Sequence, residues 1–75
     1  MNEKRRSRLR EVRSMFEKAK DIVTEVLDEE RDVLDNVPEN LQSGWKYTQM
    51  ETDCDNLDDV VDGIDNVLMT LEEVV

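Results

Sequence analysis

Seventy-five residues make one small domain at most, and a chain this short usually needs a disulfide, a metal or a partner chain to supplement its core. Its single cysteine, Cys54, excludes an internal disulfide, and the absence of histidine removes the ordinary routes to zinc, di-iron and nucleophile-and-base chemistry. The net charge of −10 is divided unevenly: residues 1–20 hold eight Lys/Arg against three acids, and residues 21–75 hold two against seventeen. An acidic body repels nucleic acid and membrane surfaces and attracts basic partners, so direct DNA binding by that body is not expected.

The first residues have no apolar stretch of the signal-peptide kind, and no run approaches the ~18 residues a membrane span needs. The expectation is a cytoplasmic protein with no membrane association. From Leu9, the positions Leu9, Val12, Phe16, Ala19, Val23, Val26 and Val33 recur at steps of three and four, with Glu30 where another apolar residue is due. This predicts a first helix over about 3–35. Met15, Ile22, Leu27 and Leu34 flank that stripe and make it wider than one neighbouring helix would cover.

Asp28, Glu29, Glu30, Asp32 and Asp35 crowd the end of this helix, and Pro38 then disfavours helical geometry at Val37. A loop over 36–43 follows, in which "PENLQ" suits one short helical turn capped by Asn36, with Ser43 capping the next helix. Pro38, Leu41 and Trp45 are expected to close the open end of a hairpin, the tryptophan acting as its plug.

A second helix is predicted over about 44–75. Tyr47, Met50, Cys54, Leu57, Val61, Ile64, Leu68, Leu71 and Val75 keep steps of three and four without a break, the a/d pattern of a coiled-coil seam. Val60, Val67 and Val74 add a second column beside it. Gly63, in mid-helix and away from the seam, costs about 1 kcal/mol relative to alanine. Two wide-faced helices in one chain predict an all-α fold, an antiparallel two-helix hairpin over residues 1–75 that dimerises into a four-helix bundle. Its seam is expected to include Phe16, Val23, Val26, Leu57, Val61, Ile64, Leu68 and Leu71.

The charges run against the helix dipole. The first helix begins with "KRRSRLR" and ends with "DEERD", each misplaced charge costing about 0.3–1 kcal/mol at low salt. An antiparallel hairpin offsets this by bringing Glu72 and Glu73 near the arginines, as does an antiparallel copy of the first helix. A nucleic-acid contact by Lys4, Arg5, Arg6, Arg8, Arg10 and Arg13 is the functional alternative, although no aromatics interleave them.

In the second helix, Asp53, Asp55, Asp58, Asp59, Asp62 and Asp65 fall off the seam, and aspartate is a poor interior helix former. With Glu29 and Glu30 they form a candidate acidic surface. A row of short, stiff carboxylates imitates a phosphate row and suits a basic, nucleic-acid-binding site on another protein; the plainer reading is a solvated face that keeps the protein soluble.

Other chemistries fit poorly. "DCDNLD" fails as a calcium loop, with Leu57 at a ligand position and Asp58 where glycine belongs. The spacing E-x-x-E/D that holds Mg²⁺ in all-helical nucleotide pyrophosphohydrolases occurs at Glu25/Asp28, Glu29/Asp32, Asp55/Asp58, Asp59/Asp62 and Asp62/Asp65, but any chain this acidic would meet it. No cofactor and no enzymatic activity are expected.

The residues Asp28, Glu29, Glu30, Asp35, Asn36, Pro38, Glu39, Leu41 and Gln42, in the order DEE…DNxPExLQ, resemble a group of small acidic helix-loop-helix proteins of Gram-positive phages and prophages. In place of that group's charged opening to the second helix, this chain has Gly44, Trp45, Lys46 and Tyr47. The resemblance implies a phage-encoded protein in the bacterial host cytoplasm. For a small acidic phage protein it suggests an inhibitor of a host or defence protein. The function expected is therefore a non-enzymatic interaction module, a homodimer with a basic host partner; the alternatives are a purely structural coiled-coil module and, more remotely, the Mg²⁺-dependent hydrolase.

Overall fold

The computed structural model describes residues 1–75. Two helices dominate: α1, Glu3–Asp35, and α2, Trp45–Glu72, joined by a connection that contains one 3₁₀ turn, Glu39–Leu41. They lie side by side and antiparallel, with Arg13 of α1 reaching Glu72 of α2 and Arg31 reaching Asp58. The hairpin is a rod of 60 × 15 × 13 Å with a radius of gyration of 17.3 Å. A compact chain of this length would have a radius near 11 Å, so no third layer covers either side of the pair.

Local chemistry sets the ends. Asn2 caps α1, its Oδ1 accepting the Arg5 N–H at 2.9 Å. Asn36 ends α1 instead of starting the next turn: its side-chain amide donates to the Asp32 carbonyl at 2.7 Å and its backbone N–H to the last turn. Pro38 precedes the 3₁₀ turn, its fixed φ of −57° leading into it and its carbonyl accepting the Leu41 N–H at 2.9 Å. Gly44, not Ser43, occupies the cap of α2, with no side-chain hydrogen bond to the first turn.

Only Leu27 and Cys54 are fully buried, each 4% exposed. On α2, Tyr47, Met50, Leu57, Val61, Ile64, Leu68 and Leu71 are half-buried on either side of Cys54, as is Val75 beyond the helix end. On α1 the shielded line runs Leu9, Val12, Phe16, Ala19, Val23, Leu27, Glu30, Leu34. This corrects the expected stripe: Val26 is 43% and Val33 53% exposed, and Leu27 takes the seam. The reason is geometric. Seam positions on a straight helix drift relative to a seven-residue repeat, and two successive steps of four, from Ala19 to Val23 and on to Leu27, restore them to the line.

The connection is held by its own hydrogen bonds more than by packing on the bundle. Trp45 is 75% exposed, and Leu41 and Pro38 are also exposed, so the expected plug does not form within the chain. Trp45 precedes the seam residue Tyr47 by two positions, a turn of about 200° at 3.6 residues per turn, which directs it away from α1. Lys46 rests its ammonium 5.8 Å from the centre of the indole ring.

Truncating Leu27 should cost far more than truncating its neighbour. Leu27→Ala is expected to lower stability by about 2 kcal/mol and Val26→Ala by less than about 1 kcal/mol. Urea titrations followed by helical circular dichroism in dilute solution, where only the single hairpin contributes, check the contrast.

Candidate functional site

Three ion pairs tie α1 to α2 along one side of the rod: Arg13–Glu72 at 2.7 Å, Lys20–Asp65 at 2.6 Å, and Arg31–Asp58. Their α2 members are seven residues apart. Their α1 members are spaced seven and then eleven, the longer interval spanning the two four-residue steps of the α1 seam. A fourth pair, Arg10–Glu3, is internal to α1. Arg13 also brings a cation to the last turn of α2, where the helix dipole is negative and no basic residue of α2 itself is present.

The side opposite these pairs is apolar. Two residues beyond each paired cation lie Met15, Ile22 and Val33; two residues beyond each paired acid lie Val60, Val67 and Val74. A step of two turns the side chain by about 200°. Because the helices are antiparallel and the pairs share one side, the same step carries both sets to the same opposite side of the rod. All six are exposed, as is Val26. On α2 and just beyond its end this side continues at alternating steps of four and three through Asn56, Val60, Gly63, Val67, Thr70 and Val74, uncharged from Asn56 onward and preceded in the column by Asp53. A shallow groove there is lined by Val67, Thr70, Leu71 and Val74.

The acidic residues separate into distinct environments. Asp58 and Asp65 are neutralised by Arg31 and Lys20. Glu30 is half-buried on the α1 seam, not on an outer surface. Burial, with the Glu30 carboxylate beside it, pushes the Cys54 thiol above its ordinary value, which favours the protonated form. Asp53 accepts a hydrogen bond from Gln49 at 2.9 Å. Asp55, Asp59 and Asp62, spaced four and three, share the outward face of α2 and have no cation partner. Glu29 is exposed at the far end of α1. Of the acids expected to share one surface, Asp53, Asp55, Asp59, Asp62 and Glu29 are exposed without a cation partner, Asp58 and Asp65 are paired, and Glu30 is half-buried.

No three acidic or sulfur side chains converge on a point that could hold a metal ion. No helix is long and apolar enough to cross a membrane. An apolar hollow beside the connection, formed by Val37, Leu41, Trp45, Tyr47 and Met50, is open to solvent. The seven-apart recurrence of Val60, Val67 and Val74 signals the apolar side in the sequence. That Met15, Ile22 and Val33 join them on one surface is visible only once the ion pairs show which sides of the two helices coincide. Compared with known proteins, the chain matches no family model, no curated protein and no solved structure.

The Lys20–Asp65 pair predicts a pH dependence. Its hydrogen bond and charge attraction hold the Lys20 ammonium above the ordinary lysine value of 10.5. A folded-state value above the unfolded one gives stability that is complete below that ordinary value and lost as pH rises through the raised one. The difference in Tm between the native chain and Lys20→Met should therefore be constant from pH 7 to about 9 and shrink toward zero above the folded value of Lys20, as measured by thermal melts at matched salt.

Proposed function

We propose that this chain is a non-enzymatic protein-interaction module that works as a homodimer, two hairpins forming a four-helix bundle, and that presents its outward aspartates to a basic protein. The supporting observation is the distribution of exposed side chains. One side of the rod carries seven exposed large apolar residues, and only Leu27 and Cys54 are buried within the chain. Large exposed apolar patches on a soluble chain mark surfaces that meet another protein. With that side covered, the face left to other partners includes Asp55, Asp59 and Asp62.

Those three carboxylates stand on adjacent helical turns of a rigid rod, so a cationic groove that normally takes a phosphate backbone is a chemically suitable receptor. The module would then act as an inhibitor, occupying the nucleic-acid site of a host or defence protein. The purely structural reading, in which the bundle is the whole function and the charges set register and solubility, draws on the same apolar side.

The readings differ in which residues carry binding. Under the inhibitor reading, an Asp55→Asn, Asp59→Asn, Asp62→Asn chain loses at least tenfold of its affinity for nucleic-acid-binding proteins pulled from a bacterial lysate, and double-stranded DNA competes with the native chain for them. Unchanged, DNA-insensitive capture by the triple variant at about 150 mM salt, where the screening length is ~8 Å, would sink the aspartate mechanism. Capture that instead follows Val60→Ser and Val67→Ser identifies the structural reading.

A further inference from the structure

The apolar side has a pattern beyond its hydrophobicity. On α1 its large residues are Met15, Ile22, Val26 and Val33, at steps of seven, four and seven, which read the same in either direction about residue 24. On α2 the column Asn56, Val60, Gly63, Val67 and Thr70 is balanced about Gly63 to within one residue, with a valine three residues before and four after it and a small polar residue seven away on each side. The Lys20–Asp65 and Arg31–Asp58 pairs place residue 24 of α1 beside residues 61–65 of α2. Both helices therefore reverse about the same level of the rod. A surface that matches itself on reversal is what a two-fold interface requires, because each patch must be complementary to its own inverted copy.

Gly63 occupies the centre of that pattern, and nothing within the chain accounts for it. Its φ is not positive, and a Cβ built on it meets no atom within 4 Å. Neither backbone conformation nor internal packing calls for glycine, and the substitution weakens the helix. A missing side chain on an exposed, uncharged helix face permits close approach by another backbone.

Charge selects the direction of the copy. The end formed by residues 1–20 and 66–75 carries eight Lys/Arg against five acids, and residues 21–65 carry two against fifteen. Copies with their connections at the same end would place the two strongly acidic halves together. Copies running oppositely place each basic end beside an acidic half. The same reversal about residue 24 sets Lys18, which has no ion-pair partner within the chain, level with residue 30 of the second copy, one residue from the exposed Glu29. The area is adequate: reversal about residue 24 leaves about 45 Å of the 60 Å rod in register, and with a width of 15 Å this is of the order of the ~800 Å² per partner that stable interfaces bury.

We infer that a second copy of this chain covers the apolar side in reverse direction, about a two-fold axis at Gly63, so that α2 crosses α2 and α1 crosses α1. The inference rests on the self-association proposed above and adds its face, direction and centre.

Sedimentation and cysteine cross-linking separate the two. The native chain should sediment as a dimer at micromolar concentration. In a Cys54→Ser background, Gly63→Cys should form an intermolecular disulfide under mild oxidation, since the axis brings its two copies within the ~7 Å between Cα atoms that a disulfide allows. Glu39→Cys, at the connection, should not. Gly63→Leu should raise the dimer dissociation constant at least tenfold with helical circular dichroism retained. A dimer that cross-links through Glu39→Cys, or one that fails to cross-link through Gly63→Cys and tolerates Gly63→Leu, overturns the reversed two-fold and leaves self-association standing. A monomer at these concentrations overturns both.

Discussion

Two helices lying side by side touch along a line, and side chains on that line are shielded from the front but remain open above and below. This geometry governs the molecule. Leu27 and Cys54, in the half of the rod nearer the connection, are closed off, while the rest of both seams stays half-buried. A chain of this kind gains little from its own burial relative to the conformational entropy of ordering two long helices. Whatever flanks the line of contact then matters more than it would in a larger domain, and the two flanks have been given opposite chemistry.

One flank carries charge. Exposed ion pairs contribute at most about 1 kcal/mol each, so the pairs from Arg13, Lys20 and Arg31 are better understood as setting direction and register than as holding the helices together. They also resolve an apparent conflict in the sequence. The basic start of α1 and the acidic end of α2 each oppose their own helix dipole, but in the antiparallel pair the Arg13 guanidinium lies against Glu72 and the negative end of α2. The other flank is apolar, with Gly63 leaving a gap at its middle. The contrast between flanks gives the rod a side suited to protein association, and it leaves the outer row of Asp55, Asp59 and Asp62 facing solvent.

The connection also divides in function. Asn36 and Pro38 end one helix and introduce the next turn through backbone and amide hydrogen bonds. Trp45, Leu41 and the neighbouring hollow contribute little to closing the hairpin. The bulkiest side chain of the chain is thus placed at the acidic end in open solvent, next to a cation from Lys46.

Much of the fold was legible in the order of residues. Steps of three and four are a direct consequence of 3.6 residues per turn, so the unbroken run from Tyr47 to Val75 and the proline between two such runs were enough to read two helices packed as a pair. Local pattern was insufficient where two adjacent apolar residues competed for one seam position. Val26 and Leu27 are both suited to burial, and only the path of α1 along α2 gave the place to Leu27. Acidic residues posed the same difficulty: on a single helix Asp58 and Asp62 look alike, and their difference is an arginine twenty-seven residues earlier in the chain. Which sides of two helices coincide depends on their relative rotation, a property of the assembled pair that no periodicity within either helix contains.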